Sequence, residues 1–301
     1  MSKQLLVVAN PDAGTPLRSV EQLEEALRRL DLHYRLMKVK TPPEADRAVA
    51  AVSDGEYQAV AVFGGDGTVI AAMKAAFKKS LPVLILPGGT ANVLAKRLGL
   101  PRQAETTLEL FAEGRYLIRH LHVAVAGGEP FLLDLHFGWL AEANSQAPRQ
   151  TKRWLGAGAY YLEAARRWRQ VQPYNFRLII DGQEVRQTGY ACLIVNEGDL
   201  RVLGVPLIPR RQHGRLYVVI VRQIGFWRLL RWYLGRAVTG GNVGGVIAVW
   251  SAETATVQEA PDEMMFDDRL VTSALPLPVK SSPHTAMAVI PVQTPHSLTA
   301  Y

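Results

Sequence analysis

The sequence predicts a two-part protein: a doubly wound α/β domain at the N-terminus, followed by a mainly antiparallel, β-rich domain. Three observations lead to this prediction. Apolar runs alternate with helix-like segments over residues 1–115, glycine- or Asn-bearing loops follow three of those runs, and short strand-like segments separated by turns dominate afterwards. We expect the nucleotide-binding domain over 1–118, the β-rich domain over 119–290 with its end able to return to the first domain, and a tail over 291–301.

The first half alternates strands and helices in order. Continuous apolar runs predict strands buried on both faces, namely QLLVVAN, HYRLMKVK, QAVAVF and LPVLILP. Helices are predicted between and after these strands. The first is SVEQLEEALRRL, with Ser19 as its N-cap, and the second follows Thr41 with Pro42 and Glu44 in its first turn. Two more are predicted in VIAAMKAAFK and in GGTANVLAKRLG. Such alternation predicts a parallel sheet.

The second half changes pattern. HLHVAVAG and PFLLDLHF predict a hairpin around Gly127-Gly128. A helix over 152–171, strands in FRLIIDG, YACLIV and RLYVVIV, and a helix in FWRLLRWYLGRA follow. The chain should end with one short strand and a frayed tail.

Composition limits the class of protein. A chain of 301 residues with 48% hydrophobic residues can form proper cores. The single cysteine, Cys192, excludes an intramolecular disulfide framework and should be a buried thiol in a reducing cytoplasm. The apolar run at the N-terminus is too short for a signal peptide, and no window has 18 consecutive apolar residues, so we expect a soluble protein.

The net charge of +7 is unevenly distributed. Residues 201–236 contain eight Arg and no acid, and residues 149–169 contain six basic residues and one acid. This asymmetry predicts an anionic partner, such as a phosphate ligand, an anionic membrane or nucleic acid. The basic, Trp-bearing helix FWRLLRWYLGRA could lie at a lipid interface, although core packing is the alternative for its apolar face.

The most informative stretch is GGDGT, residues 64–68, at the end of a predicted strand and the start of a helix. Glycines allow close approach of a ligand, and a helix N-terminus offers free N–H groups and partial positive charge, so the stretch predicts a phosphate-binding loop. Thr68 could cap the helix or donate to a phosphate oxygen. The carboxylate of Asp66 fits such a site if it holds a metal ion or a proton in transfer, and a capping role is the alternative.

Two other loops repeat this arrangement. PGGTAN, residues 87–92, also follows a strand and opens a helix, and NPDAG, residues 10–14, ends the first strand. Because the carboxyl ends of parallel strands meet at one edge of a sheet, the three loops should converge there. Their combination is more specific than any one glycine-rich loop.

The chain resembles the diacylglycerol kinase catalytic-domain family, in the branch of soluble bacterial lipid kinases that are similar to sphingosine kinases and share a fold with NAD kinases. NPDAG, GGDGT and LPGGTANVLAKRLGLP carry the resemblance in order and spacing, while GGEPFLLDLHFGW, IIDGQE and ACLIVNEG match more loosely. The resemblance implies ATP- and Mg²⁺-dependent phosphorylation of diacylglycerol or a related lipid alcohol at a membrane surface, with the nucleotide between the domains.

The resemblance also implies the site residues. The nucleotide or its phosphates would contact Asn10, Thr41, Gly64, Gly65, Asp66, Gly67, Thr68, Gly89, Thr90 and Asn92. Asp66 is the predicted metal ligand. Asp267, or else Asp268, would orient or deprotonate the lipid hydroxyl, and with Asp66 these form the predicted catalytic set.

The chain departs from the family at acidic or amide positions. Neutral or basic residues occupy positions where the family has Asn, Asp or Glu, namely Ile70, Ala71, Val93, His213, Tyr217 and Arg269. Since magnesium needs oxygen ligands, these changes favour an alternative: a catalytically weak or inactive pseudokinase that binds nucleotide or lipid.

Two further alternatives have less support. The β-rich half argues against a kinase of a soluble nucleotide. The sequence contains no RNA-binding motif, which argues against a nucleic-acid partner. We expect a cytoplasmic protein that binds the inner membrane face transiently, with a homodimer through the second domain left open.

Overall fold

The computed structural model describes residues 4–12, 20–53, 55–89, 92–139, 141, 172–196, 201–202, 205–206, 214–222, 245–267 and 269–292. The helices are α1 Val20–Arg29, α2 Pro42–Ala50, α3 Asp66–Lys78, α4 Val93–Arg97 and α5 Ala104–Ala112. The first strands are β1 Gln4–Ala9, β2 Tyr34–Lys38, β3 Tyr57–Gly64, β4 Val83–Pro87, β5 Tyr116–Ala126, β6 Glu129–Phe131 and β7 Asp134–Gly138. The remaining strands are β8 Tyr174–Ile180, β9 Gln183–Gly189, β10 Ala191–Val195, β11 Arg201–Val202, β12 Val205–Pro206, β13 Leu216–Val221, β14 Ile247–Ala252, β15 Thr254–Glu259, β16 Glu263–Phe266, β17 Arg269–Thr272 and β18 Leu277–Pro291.

The chain divides into two compact units: residues 1–121 with 285–301, and residues 122–284. The first unit has a parallel sheet in the order β2-β1-β3-β4. The last part of β18 extends it, with Ala288 and Val289 beside β4. The predicted α/β architecture of the N-terminal part is confirmed.

Apolar residues of α1 and α5 cover one face of this parallel sheet. Leu23 and Leu27 of α1 pack with Leu108 and Phe111 of α5 against alternate residues of the strands. Helices α2 and α3 contact each other. Helix α2 also contacts β1, and helix α3 also contacts β3. Strands with layers on both faces bury every residue, which is why β4 reads as an unbroken apolar run.

The second unit has two antiparallel sheets with a shared core. One has the order β14-β13-β10-β7-β16-β17, and the other pairs the first part of β18 with β15, then β8 and β9. Inward-facing side chains of both sheets, such as Phe137 and Phe176, form one apolar cluster. The predicted β-rich second half is confirmed.

The predicted hairpin at Gly127-Gly128 is correct, but its second arm is shorter than the sequence pattern indicates. Ala126 pairs with Glu129, and both glycines have positive φ, as a two-residue turn of this kind needs. PFLLDLHF then divides at Leu132 and Leu133: β6 ends before them, and β7 joins the other sheet. The cause is that the backbone N–H groups of Leu132 and Leu133 donate to the side chain of Asp267 instead of to a neighbouring strand.

The expectation of one short C-terminal strand is wrong, because β18 runs from Leu277 to Pro291. The Ser281-Ser282-Pro283 stretch suggests a turn in the sequence, yet it lies within the strand. The predicted helices over 152–171 and in FWRLLRWYLGRA, the Ser19 cap and His213 lie outside the described residues. In the described ranges, no helix combines the length and apolarity needed to cross a membrane.

Candidate functional site

Three loops meet at the carboxyl edge of the parallel sheet, as the sequence predicts. Strands β1, β3 and β4 are neighbours, and they end at Ala9, Gly64 and Pro87. The backbone N–H of Asn10 donates to the carbonyl of Phe63, and that of Gly88 donates to the carbonyl of Gly64. Hydrogen bonds therefore join the start of NPDAG to the residue before GGDGT, and GGDGT to PGGTAN.

The glycines let the loops themselves approach closely. A Cβ on Gly89 would lie 2.5 Å from the Cα of Gly65, and a Cβ on Gly64 would lie 2.8 Å from the Cβ of Thr68. A Cβ on Gly88 would lie 3.2 Å from the backbone N of Gly64. Neighbouring protein atoms therefore require glycine at Gly64 and Gly89 and make a side chain tight at Gly88, whereas the sequence pattern suggests a role toward a ligand.

Gly65 differs from the other loop glycines. A Cβ built on it would have the Cα of Gly89 as its nearest neighbour, at an ordinary 3.7 Å. Its φ of −82° is accessible to any residue, and it is the N-cap of α3. The protein interior therefore does not require glycine there, and close approach of a bound group is a remaining reason for it.

Asn10 connects the first loop to its neighbours through a buried side chain. Its Oδ1 accepts from the N–H of Asp12 at 2.9 Å, and its Nδ2 donates to the Thr68 Oγ1 and to the Lys40 carbonyl, both at 3.3 Å. The amide thus fixes the bend after β1. It has a structural role whether or not a nucleotide contacts it.

Of the two roles considered for Thr68, the structure excludes the cap of helix α3. Gly65 is the N-cap, and no side chain bonds to the cap. Thr68 lies in the first turn, buried, with its hydroxyl accepting from Asn10. Its hydroxyl proton remains able to donate elsewhere.

Asp66 lies in the first turn of α3 and links it to α4. Its Oδ1 accepts from the backbone N–H of Leu94 at 3.1 Å, so Asp66 caps α4 rather than its own helix, α3. The residue is half-buried. One carboxylate oxygen has this structural partner, and within the described ranges no hydrogen bond engages Oδ2.

The PGGTAN loop folds around Asn92, which has a positive φ of 46°. Its Oδ1 accepts from the N–H of Gly89 at 3.0 Å, and its Nδ2 donates to the carbonyl of the same glycine at 2.6 Å. The side chain therefore shapes the loop. Thr90, predicted here, lies outside the described residues.

Thr41 is exposed at the N-terminus of α2. Its hydroxyl donates to Glu44 at 3.0 Å, and the N–H of Lys40 donates to the same carboxylate at 2.8 Å. The Lys40 N–H and then the Thr41 hydroxyl lower the pKa of Glu44. Thr41 is the backbone N-cap, but its side chain bonds Glu44 and not the helix backbone.

In the second unit, Asp267 is buried in the turn between β16 and β17 with a φ of 55°. Its Oδ1 accepts from the N–H groups of Leu132 and Leu133 at 3.1 and 2.8 Å. A carboxylate held by two amides has a fixed orientation. Asp268, the other predicted base, lies outside the described residues.

Sequence reasoning missed two polar groups in the same unit as Asp267. Asn196 at the end of β10 is buried, and His136 lies 2.9 Å from the carboxylate of Asp134. The signal was present: polar residues interrupt the apolar patterns YACLIVN and FLLDLHF. Such interruptions in a core indicate hydrogen-bonded groups.

The loop edge has the donors that a nucleotide phosphate needs, whereas its described side chains do not form a complete metal site. The α3 N-terminus and the loop edge offer backbone donors near Gly65. In the part of the chain that the structure describes, no three His, Cys, Asp or Glu side chains cluster closely enough to hold a metal ion. Asp66 can supply one oxygen, which suits magnesium because it commonly takes one or two protein carboxylates together with substrate phosphates.

Comparisons with known proteins agree with the geometry. Residues 4–123 match the family described as Diacylglycerol kinase catalytic domain. The chain is 31% identical over 182 residues to a "Probable lipid kinase YegS-like" protein of Chromohalobacter salexigens, covering 58% of each. It is 24% identical over 190 residues to the diacylglycerol kinase of Bacillus subtilis, covering 60% of this chain and 61% of the other.

Solved structures show the same fold. A Bacillus anthracis protein, assigned provisionally as a diacylglycerol kinase, superposes with a TM-score of 0.74 at 20% identity, covering 99% of both chains. In sequence, the chain matches about half to three fifths of the length of its curated relatives. The resemblance to the diacylglycerol kinase catalytic-domain family is confirmed.

Proposed function

We propose that this chain, whose residues 4–123 match the diacylglycerol kinase catalytic domain, is an ATP-dependent lipid kinase. It would transfer the γ-phosphoryl group to the hydroxyl of diacylglycerol or a related lipid alcohol. The observation that carries the proposal is the convergence of NPDAG, GGDGT and PGGTAN at one edge of the parallel sheet. The match of residues 4–123 to the family described as Diacylglycerol kinase catalytic domain supports this proposal.

In this proposal, the loop edge holds the nucleotide phosphates. Backbone N–H groups at the start of α3 would donate to phosphate oxygens, aided by the partial positive charge of the helix terminus. Asp66 would hold Mg²⁺ through its second oxygen while Oδ1 remains with the Leu94 N–H. The ion would supply charge neutralisation on the phosphates.

The lipid hydroxyl needs a group that orients it and accepts its proton. Asp267 is proposed for this task, because the Leu132 and Leu133 amides fix its carboxylate. Arg269, in place of an acid, could stabilise negative charge but could not act as a base. We propose a peripheral and transient encounter with the membrane, consistent with the net charge of +7.

The second candidate is a pseudokinase that binds nucleotide or lipid without turnover. The observation in its favour is the replacement of acidic or amide positions by Ile70, Ala71, Val93, His213, Tyr217 and Arg269. Residue Val93 is exposed at the start of α4, beside the cap that Asp66 provides, and it offers no ligand oxygen there.

The test is transfer of label from γ-labelled ATP to a mixed lipid extract, with and without Mg²⁺. The kinase proposal expects a metal-dependent labelled lipid that extracts with the organic phase. ATP binding by the same preparation without any labelled lipid would favour the pseudokinase. Absence of both ATP binding and transfer would contradict the kinase and would leave only the lipid-binding form of the second candidate.

A further inference from the structure

The bend between β6 and β7 is held by hydrogen bonds on both sides. On one side, the N–H groups of Leu132 and Leu133 donate to the Asp267 carboxylate. On the other side, the carbonyl groups of the same segment accept from Asn196. The two peptide groups therefore lie between an amide donor and a carboxylate acceptor.

Asn196 makes these contacts from a buried position at the end of β10. Its Nδ2 donates to the carbonyls of His122 at 2.8 Å and Leu132 at 3.2 Å, with a longer contact of 3.5 Å to Phe131. Its own N–H donates to the Leu133 carbonyl at 2.9 Å. Only 9% of the residue is exposed.

The relation between the two sets of bonds is direct. The carbonyl of Leu132 and the N–H of Leu133 belong to one peptide group, so a single planar unit joins the Asn196 amide to the Asp267 carboxylate. A peptide group whose carbonyl accepts a hydrogen bond is a stronger donor through its N–H. The Asn196 amide therefore both places and polarises the donor that holds Asp267.

The chemistry of this position favours asparagine. Three backbone carbonyl oxygens converge on the Asn196 Nδ2. An Asp at this position would place a negatively charged acceptor against those oxygens, and an apolar residue would leave buried acceptors without this donor.

From these contacts we infer that Asn196 is a positioning residue, which fixes the Asp267 carboxylate through the Leu132–Leu133 peptide. This inference rests on the proposed role of Asp267 toward the lipid hydroxyl. Asn196 itself contacts protein groups and acts through another residue.

The kinetic test is a double-mutant cycle of Asn196→Ala and Asp267→Asn. We expect Asn196→Ala to lower kcat roughly 10- to 100-fold, the scale of a misplaced reactive group, with the KM for ATP nearly unchanged. In Asp267→Asn, which keeps an acceptor for both amides, adding Asn196→Ala should cause little further loss. Losses that multiply would overturn the inference, since they would show two independent effects.

The matched control is Asn175→Ala in the same unit. Asn175 is exposed on β8, where it accepts from the Thr188 hydroxyl at 3.0 Å. Its removal should leave kcat unchanged. Asn196→Ser, which keeps a shorter donor, serves as a milder second variant if the alanine variant fails to fold.

A second measurement does not depend on activity. Hydrogen exchange of the Leu132 and Leu133 amides should become faster in Asn196→Ala, or Asn196→Ser, than in Asn175→Ala. Unchanged exchange at both amides would overturn the inference. If the wild-type protein transfers no phosphate, the proposed function fails separately, and the exchange result alone decides whether Asn196 holds the Asp267 carboxylate.

Discussion

At the scale of single residues, the glycines of the GGDGT and PGGTAN loops have two different tasks. A Cβ on Gly64 would clash with Thr68 of the same loop, and a Cβ on Gly88 or Gly89 would crowd the backbone of GGDGT, whereas Gly65 has room for a side chain in the protein itself. The first group makes the edge of the sheet compact. Gly65 is the position at which a bound group would explain the absence of a Cβ.

Substitution separates these tasks. Gly89→Ala would place a Cβ 2.5 Å from the Gly65 backbone, and such overpacking typically costs about 1–3 kcal/mol in the free energy of unfolding. Gly65→Ala, the matched control, should cost less than about 1 kcal/mol, the scale of a changed helix N-cap. Denaturant unfolding of both variants tests this. Equal losses in the free energy of unfolding for Gly89→Ala and Gly65→Ala would contradict these two different tasks.

Nucleotide affinity gives the complementary result for Gly65. We expect Gly65→Ala to keep its fold and lose ATP affinity, because the new Cβ would occupy space beside the phosphates. Titration with ATP measures this. Undiminished affinity would remove Gly65 from the proposed phosphate site.

Burial determines the reactivity of the Cys192 thiol. It is fully buried in β10, and burial raises the pKa of its thiol to about 12. Because the thiolate is the reactive form, the native protein should not react with a thiol reagent at a pH of about 8, whereas the unfolded protein should react with one equivalent. Rapid reaction of the native protein would contradict the buried position.

At the scale of elements, the sequence predicted the parallel half better than the antiparallel half. Strands buried on both faces, such as β3 and β4, leave unbroken apolar runs that need no tertiary information. The ends of β6 and β18 depend on distant partners instead. A side chain 135 residues away ends β6, and β18 pairs with β15 before Ser281-Ser282-Pro283 and with β4 after it.

The candidate site divides in the same way. The GGDGT loop could be located from its own residues. The link from Asp66 to Leu94, and that from Asn196 to the Leu132–Leu133 peptide, join parts of the chain whose distance in space no local pattern encodes. Only the interruption of apolar runs by polar residues hinted at the second link.

The β8–β9 turn provides a pH-dependent prediction. Asp181 has a positive φ, and the N–H of Thr254, then that of Glu253 and the charge of Arg215, lower the pKa of its carboxyl group. A carboxyl group with a lowered folded-state pKa stabilises the protein above its unfolded value of about 3.9, and this contribution is lost as pH falls further.

Asp181→Asn should therefore lower Tm at a pH of about 7, with a smaller difference from wild type at a pH of about 3. Thermal unfolding at both values measures this. Glu184→Gln in the same hairpin, whose partner Arg186 is exposed, is the control and should change Tm little at either pH. An Asp181→Asn deficit that stays constant across this range would contradict the ionised role of the carboxylate.

At the scale of the whole molecule, each unit has its own core and its own proposed task. The parallel sheet of the first unit gathers three loops at one edge, and the second unit holds a buried carboxylate in a turn between antiparallel strands. A phosphoryl-transfer enzyme needs both a phosphate site and a group that orients the acceptor hydroxyl. The proposed tasks of both units therefore require that the chain carries out phosphoryl transfer.

The most direct measurement is the initial rate of label transfer from γ-labelled ATP to extracted lipid by wild type and Asp66→Asn, with Mg²⁺. The substitution would keep an amide oxygen as acceptor for the Leu94 N–H while removing the charge, so the fold should remain. We expect metal-dependent transfer by the wild-type protein and none above background by Asp66→Asn. Equal rates in the two proteins, or no transfer by a wild type that binds ATP, would contradict this expectation.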